Sequence, residues 1–249
     1  MLDAFKRWIS GGPHGRDWSG VSVWAQQQGH AFKRARDAEG FVVDGSLDER
    51  PWRLEWGPPQ RAYIQGHELR IRMELQLPSA VQMLLISRAL MERLERETFE
   101  RYTQSNQTLI DVSTPEEMRW LAMFPKTELA ELPKDLRQRF GAVASDPEAA
   151  WQWVDAPFAQ QLGVAASRVL VGDPPFLLMT LRGRVYLRLQ LEEPDAVAVG
   201  TMVSLFQAAA RSALAMRGGA HGAGEWPSTS SSTAWTELQP DDDPNERKP

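Results

Sequence analysis

Leu69-Arg70-Ile71-Arg72-Met73-Glu74-Leu75-Gln76 decides how this chain is read. Apolar and polar side chains alternate at every position, the period of a strand with one face in a core and the other in polar surroundings. Downstream, Pro78-Ser79 turns the chain into Gln82-Met83-Leu84-Leu85-Ile86, an unbroken apolar run suited to a strand buried on both faces. A helix is expected from about Arg88 to Tyr102, with Ser87 as its N-cap. Upstream, Trp52-Arg53-Leu54-Glu55-Trp56 places two tryptophans and a leucine on one face and Arg53 and Glu55 on the other. Gly57-Pro58-Pro59 ends that strand, because proline cannot donate to a ladder. Before it, Phe41-Val42-Val43 leads to Asp44-Gly45, which reads as a turn or bulge.

The same pattern returns near the C-terminus. Leu181-Arg182-Gly183-Arg184 is the tight turn of a hairpin between Phe176–Leu181 and Val185–Leu191. Val185, Leu187, Leu189 and Leu191 face one way, and Tyr186, Arg188, Gln190 and Glu192 the other. Pro194-Asp195 then opens an apolar helix that runs to Met216. A membrane span needs about 20 predominantly apolar residues. Gly200, Thr201, Ser204, Gln207, Arg211 and Ser212 interrupt this one, so it reads as a buried core helix. Two runs from strand pairs into amphipathic helices predict an α+β fold: a largely antiparallel sheet built from two hairpin-containing halves, with helices packed on one face.

The stretch from Thr108 to Pro157 reads as a helical connector. Thr114-Pro115-Glu116-Glu117 has the form of a capping box, and Asp146-Pro147 starts a helix carrying Trp151 and Trp153 until Pro157 interrupts it. A further helix over Val21 to Ala35 has a basic end at Lys33, Arg34 and Arg36, where cations suit the helix dipole. At the N-terminus, Leu2, Phe5, Trp8 and Ile9 recur at helical spacing beside Lys6 and Arg7, before the Gly11-Gly12-Pro13 linker. Residues 217–249 have few aliphatics, hold Ser230-Ser231-Ser232 and the acidic run Asp241-Asp242-Asp243, and are expected to be disordered. The expected organisation is an N-terminal helix and linker over 1–12, and an α+β globular domain over 18–216. That domain is one unit or two halves at 38–105 and 106–216, and an acidic tail over 217–249 follows.

This order of signals resembles a group of bacterial domains of unestablished function. The resemblance rests on Val43-Asp44-Gly45-Ser46 with Arg50-Pro51-Trp52-Arg53-Leu54, on Phe140-Gly141-Ala142-Val143-Ala144-Ser145-Asp146-Pro147, and on Leu181-Arg182-Gly183-Arg184-Val185-Tyr186-Leu187-Arg188 before an apolar helix. It covers roughly residues 40–215. The glycine-arginine pair usual in the first hairpin of that group is replaced by Glu49-Arg50. The resemblance implies no site residue.

Composition narrows the function. Apolar residues make up 42% and charged residues 24% of 249, with a net charge of −5, so a general nucleic-acid binder is disfavoured. Without cysteine, disulfides, thiol catalysis and cysteine-ligated metals are excluded. The four histidines, His14, His30, His67 and His221, share no metal-ligand spacing. The glycine-rich stretch at 219–224 follows a helix and lacks the phosphate-binding lysine. No catalytic residue, cofactor or metal is expected. Trp52 and Trp56, with Arg53, Arg70 and Arg72, would make a stacking platform for single strands, but the tryptophans share the face of Leu54 and read as core.

The expectation is a non-enzymatic macromolecule-binding or scaffolding protein of the bacterial cytosol. Its partner is a protein, docked through Leu2, Phe5, Trp8 and Ile9. Two alternatives stand beside it: an enzyme or small-molecule binder with a pocket between sheet and helices, and a peripheral protein of the inner membrane anchored by residues 1–9. A filled apolar core favours the first reading, and a deep polar pocket holding His67 beside carboxylates favours the second.

Overall fold

A computed structural model describes residues 17–35, 39–104, 114–130 and 132–219. The strands are β1 (Ala31–Arg34), β2 (Phe41–Leu47), β3 (Arg50–Gly57), β4 (Glu68–Glu74), β5 (Met83–Ser87), β6 (Lys126–Thr127), β7 (Phe140–Ala144), β8 (Phe176–Leu181) and β9 (Arg184–Gln190). The helices are α1 (Ser19–Gln27), α2 (Arg88–Gln104), α3 (Glu116–Met123), α4 (Lys134–Arg139), α5 (Pro147–Trp153), α6 (Ala156–Arg168) and α7 (Ala196–Gly219). All nine strands form one sheet in the order β1-β2-β3-β4-β9-β8-β5-β7-β6, and every neighbouring pair is antiparallel. The fold is α+β. The two hairpin-containing runs share one sheet, because β9 pairs with β4 and β8 pairs with β5.

Strand alternation sends side chains to two cores. On the first face, Leu54, Ile71, Leu85, Leu178 and Leu187 lie in one cluster with Val21 of α1, Trp153 of α5, Phe158 of α6 and Phe206 of α7. On the opposite face, Leu84, Ile86, Val143, Leu177 and Met179 join Leu90 and Leu94 of α2 and Met118 and Trp120 of α3. The helices, expected on one face, therefore divide between both. The reason is visible in β5, β7 and β8: Met83–Ile86, Ala142–Ala144 and Phe176–Met179 are apolar at successive positions, so each face needs a cover. Helix α7 is, among the described residues, the one helix long and apolar enough to cross a membrane. Here Val199, Met202, Leu205, Phe206 and Ala209 are buried in the first core. Ser212 donates to the Trp153 carbonyl at 2.5 Å, and the Trp153 indole N–H donates to the Ala209 carbonyl at 2.9 Å.

Several local readings change. Helix α1 ends at Gln27, and Gly29, at φ +73°, releases the chain into β1. The basic residues Lys33 and Arg34 thus belong to an edge strand paired with β2, not to a helix end. Asp44-Gly45 lies inside β2, and the turn is Asp48-Glu49, both at positive φ, between the paired Leu47 and Arg50. Gly45 is demanded by packing: a Cβ there would run into the Trp52 ring and sit 2.8 Å from His30 Nδ1. Phe140–Ala144, read as part of a helical middle, is β7, buried throughout and paired with β5. Ser87 closes β5, and its hydroxyl donates to the Pro174 carbonyl at 3.3 Å. The caps at Asp146 and Asp195 are present, accepting from the N–H of Glu148 and Ala198 at 3.0 and 2.7 Å. Pro157 belongs to the first turn of α6, which Asp155 caps, so it opens a helix where an interruption was expected. The Arg182-Gly183 turn is as read, with φ of 51° and 78°. The N-terminal helix and the acidic tail lie outside the described residues, except that α7 extends to Gly219.

Gly45→Ala should lower the unfolding free energy by about 1–3 kcal/mol through overpacking against Trp52. Urea denaturation followed by tryptophan fluorescence measures this, and an unchanged midpoint would mean that Trp52 has room to yield.

Candidate functional site

The second face of the sheet has two chemistries. Over β8, β5 and β7 it is apolar and carries α2 and α3. Over β2, β3, β4 and β9 the same face presents Asp44, Arg53, Glu55, Arg70, Arg72, Glu74, Arg184 and Arg188, the polar halves of strands whose apolar halves fill the first core. Arg53 holds Asp44 through two bonds, of 2.7 and 3.3 Å, and Lys33 joins it at 3.3 Å. Those cations keep the Asp44 carboxyl below the usual carboxylate range, the bond from Arg53 acting first. Arg184 pairs with Glu74. Arg72 is the loosest, 58% exposed and 4.0 Å from Glu55. Arg53, Arg72 and Arg184 together rim a shallow cleft of ≈ 410 Å³ with Asp44 and Glu74.

The border between the two halves is held by buried charge. Loop 58–66 leaves β3 and sends Arg61 and Tyr63 to Glu117 of α3, which is wholly buried. Glu117 Oε1 accepts from Arg61 Nε at 2.6 Å and from the Tyr63 hydroxyl at 2.5 Å. Arg93 of α2 donates to the Tyr63 carbonyl at 2.5 Å. Beside this latch, Glu68 accepts from Arg188, from Arg70 at 3.4 Å and from the Gln60 N–H at 2.7 Å. Burial pushes the Glu117 carboxyl up, but Arg61 and Tyr63 outweigh it and hold the group below its ordinary value. Burial, with Glu117 adding to it, drives the Tyr63 hydroxyl well above its own. Both shifts lead away from neutrality, whereas proton transfer needs a group poised near the working pH. The arrangement fastens α3 to loop 58–66. Glu117, read as part of a capping box, makes no such cap: Pro115 occupies the N-cap of α3 and no side chain caps it.

His67 immediately precedes Glu68, at the start of β4. Its ring stacks on Trp56 with centroids 4.4 Å apart and planes 8° off parallel. Nδ1 lies 3.2 Å from Glu192 and Nε2 3.3 Å from Glu39. This is His67 beside carboxylates, but at the rim of the sheet, and neither of the clefts described here includes it. Among the described residues no group of three or more histidine or carboxylate side chains could hold a metal ion. His30 packs edge-on against Trp52 at 4.7 Å, and burial lowers its pKa. Trp52 and Trp56 are each 2% exposed and belong to the first core. The proposed docking residues Leu2, Phe5, Trp8 and Ile9, with His14 and His221, lie outside the described residues. The latch went unread because Arg61 and Glu117 are 56 positions apart, and only the fold brings them together.

No family model matches this chain, and no curated protein sequence matches it. A solved structure similar to it is the crystal structure of the mycobacterial trehalose monomycolate transport factor A, TtfA. The two share 8% identity over 78% of this chain and 92% of that one, with a TM-score of 0.43, and a likeness at that level carries no functional inference.

Glu117→Gln should cost about 3–5 kcal/mol at neutral pH, because it leaves the Arg61 guanidinium without its buried counter-charge. A depressed carboxyl contributes its stability in full above the unfolded-state value, and loses it as pH falls through the folded-state value. The gap between wild type and Glu117→Gln should therefore stay constant from pH 8 down to about pH 5 and narrow below pH 4.5. Denaturant melts across that range test it; a gap that does not narrow in acid would show that Glu117 contributes through shape alone.

Proposed function

We propose that this protein binds another protein without catalysing a reaction, and that the open half of the second sheet face makes the contact. One observation carries the reading: a single sheet face is covered by α2 and α3 over β8, β5 and β7, yet stays open around Arg53 of β3, Arg72 of β4 and Arg184 of β9. The space where a pocket between sheet and helices would lie on the first face is filled, with Trp52, Trp56, Trp153, Phe158 and Phe206 fully buried. That supports the binding reading over an enzyme with an interior cleft. Arginine is favoured at protein interfaces for its fixed fork of donors and its stacking surface. The rim here exposes Lys33, Arg53, Arg72 and Arg184 against Asp44, Glu55 and Glu74, a cationic surplus on a chain with net charge −5. A partner presenting acidic side chains fits it, since they can take up the donors that Arg72 leaves unused. The buried tryptophans leave this face without the stacking surface a single nucleic-acid strand uses. Residues 1–9 are a second docking element in this reading, toward a protein groove or the inner membrane surface.

Arg53→Glu/Arg72→Glu/Arg184→Glu should retain the fold and lose at least ~10-fold in capture of the specific partner, with binding that weakens as salt rises. Quantitative affinity capture from the native host, comparing wild type, this variant and a chain lacking residues 1–12, checks it. A partner kept by the triple variant but lost on truncation would move the contact to Leu2, Phe5, Trp8 and Ile9.

A further inference from the structure

The far edge of the sheet carries an independent feature. Strand β6 is only two residues long and pairs Lys126 with Val143 and Thr127 with Ala142. The chain then leaves β7, so among the described residues no strand lies beside the outer edge of Phe140 and Gly141. A cleft of ≈ 370 Å³ opens there between β7, the segment 126–130, α2 and α4, within the size range of small-molecule sites. Gly141 lets α2 lie close: a Cβ would stand 2.9 Å from Met91 Sδ. Met91, Leu129 and Phe140 give the cleft an apolar side.

Its polar side has unused donors. Arg88 is pinned by three backbone carbonyls, giving Nε to Gln138 at 3.1 Å and Nη2 to Arg137 and Phe140 at 2.9 and 3.1 Å. Its Nη1 makes no bond among the described residues, and the Arg137 guanidinium has no partner among them either. Thr127 Oγ1 is buried with no hydrogen-bond partner, a state that costs free energy unless something fills it. Lys126 is neutralised by Glu95 at 2.8 Å. With Glu128 also on the rim, Arg88 and Arg137 leave one net positive charge, which matches a monoanion better than a dianion.

We infer that this cleft binds a small organic carboxylate, the carboxylate held by Arg88, Arg137 and the Thr127 hydroxyl and the apolar body lying along Met91, Leu129 and Phe140. The Arg137 guanidinium can meet a carboxylate with paired donors, and the pinned Arg88 adds its Nη1 donor in a fixed orientation. The site is separate from the open sheet face, so its failure would leave the protein-binding reading untouched.

Isothermal titration of the full-length chain with octanoate, octanol and inorganic phosphate tests it. Octanoate should bind, octanol should not, and phosphate should bind more weakly than octanoate. Arg137→Glu, at an exposed position, should keep the melting temperature and weaken octanoate about tenfold. Thr127→Val removes only the orphan hydroxyl; it should leave the fold intact and weaken octanoate a few-fold. Equal binding of octanoate and octanol, undiminished binding by Arg137→Glu, or tighter binding of phosphate would overturn the assignment.

Discussion

The β8–β9 hairpin fills the gap between β4 and β5, and both the sheet and its covering layers follow from that insertion. Strands β4 and β5 are neighbours in sequence but have two strands between them in the sheet. Residues more than 90 positions later supply the missing pairs, Leu69 with Leu189, Ile71 with Leu187 and Leu84 with Met179 among them. Until the hairpin is in place, β4 has an open edge and β5 no partner on that side. Contacts of such long range are reached late and close expensive loops. The Arg182-Gly183 turn, at positive φ in both residues, is the short segment that keeps the two inserted strands in register.

The same hairpin draws the line between the two chemistries of the second face. On β8 that face carries Leu177, Met179 and Leu181, and on β9 it carries Arg184, Tyr186 and Arg188. Leu177 stands opposite Arg188 and Met179 opposite Tyr186, so the β8 side of the hairpin takes apolar cover while the β9 side turns polar, Tyr186 packing at the margin of the second core and Arg188 pairing with the buried Glu68. The latch of Glu117, Arg61 and Tyr63 sits where the covered part gives way to the open part, tying α3 to the loop that follows β3. A buried ion pair gains little over an apolar contact of equal size, but once built it is costly to break. Its value here is positional: a greasy contact would let α3 slide along the border, whereas a carboxylate with two fixed donors has one seat.

The sequence made the strongly periodic parts legible. Leu69–Gln76, Val185–Leu191 and Trp52–Trp56 declared both the strands and the faces that would be buried. Asp146 and Asp195 declared two helix starts by local chemistry that needs no tertiary context. What escaped was whatever depended on distant partners. Phe140–Ala144 has no alternation because both its faces are covered; its signal was length, five apolar residues closed by Ser145-Asp146-Pro147, too short for a helix. Asp48 and Glu49 take positive φ without a glycine, so the turn they form was hidden behind Asp44-Gly45. Gly45 owes its place to Trp52 and His30 across the sheet, not to a turn. Of the candidate site, the alternation exposed Arg53, Arg70 and Arg72 on a polar face, but nothing local revealed that half of that face would go uncovered.

A filled interior constrains where activity can sit. The first core packs residues of α1, α4, α5, α6 and α7 against the sheet with its largest aromatics fully buried, which leaves little room for a substrate between the layers. The second core is smaller and closed by α2, α3 and loop 58–66. The ionisable groups enclosed at its margin, Glu117, Tyr63 and Arg61, are each displaced in the direction that fixes their charge state. Rigid charge of this kind organises neighbours and resists proton exchange. The polar groups with donors to spare lie instead at the margins of the sheet: Arg72 on the arginine-lined half, 4.0 Å from Glu55, and Arg88 and Arg137 at the edge of β7, where β6 is too short to cover its neighbour.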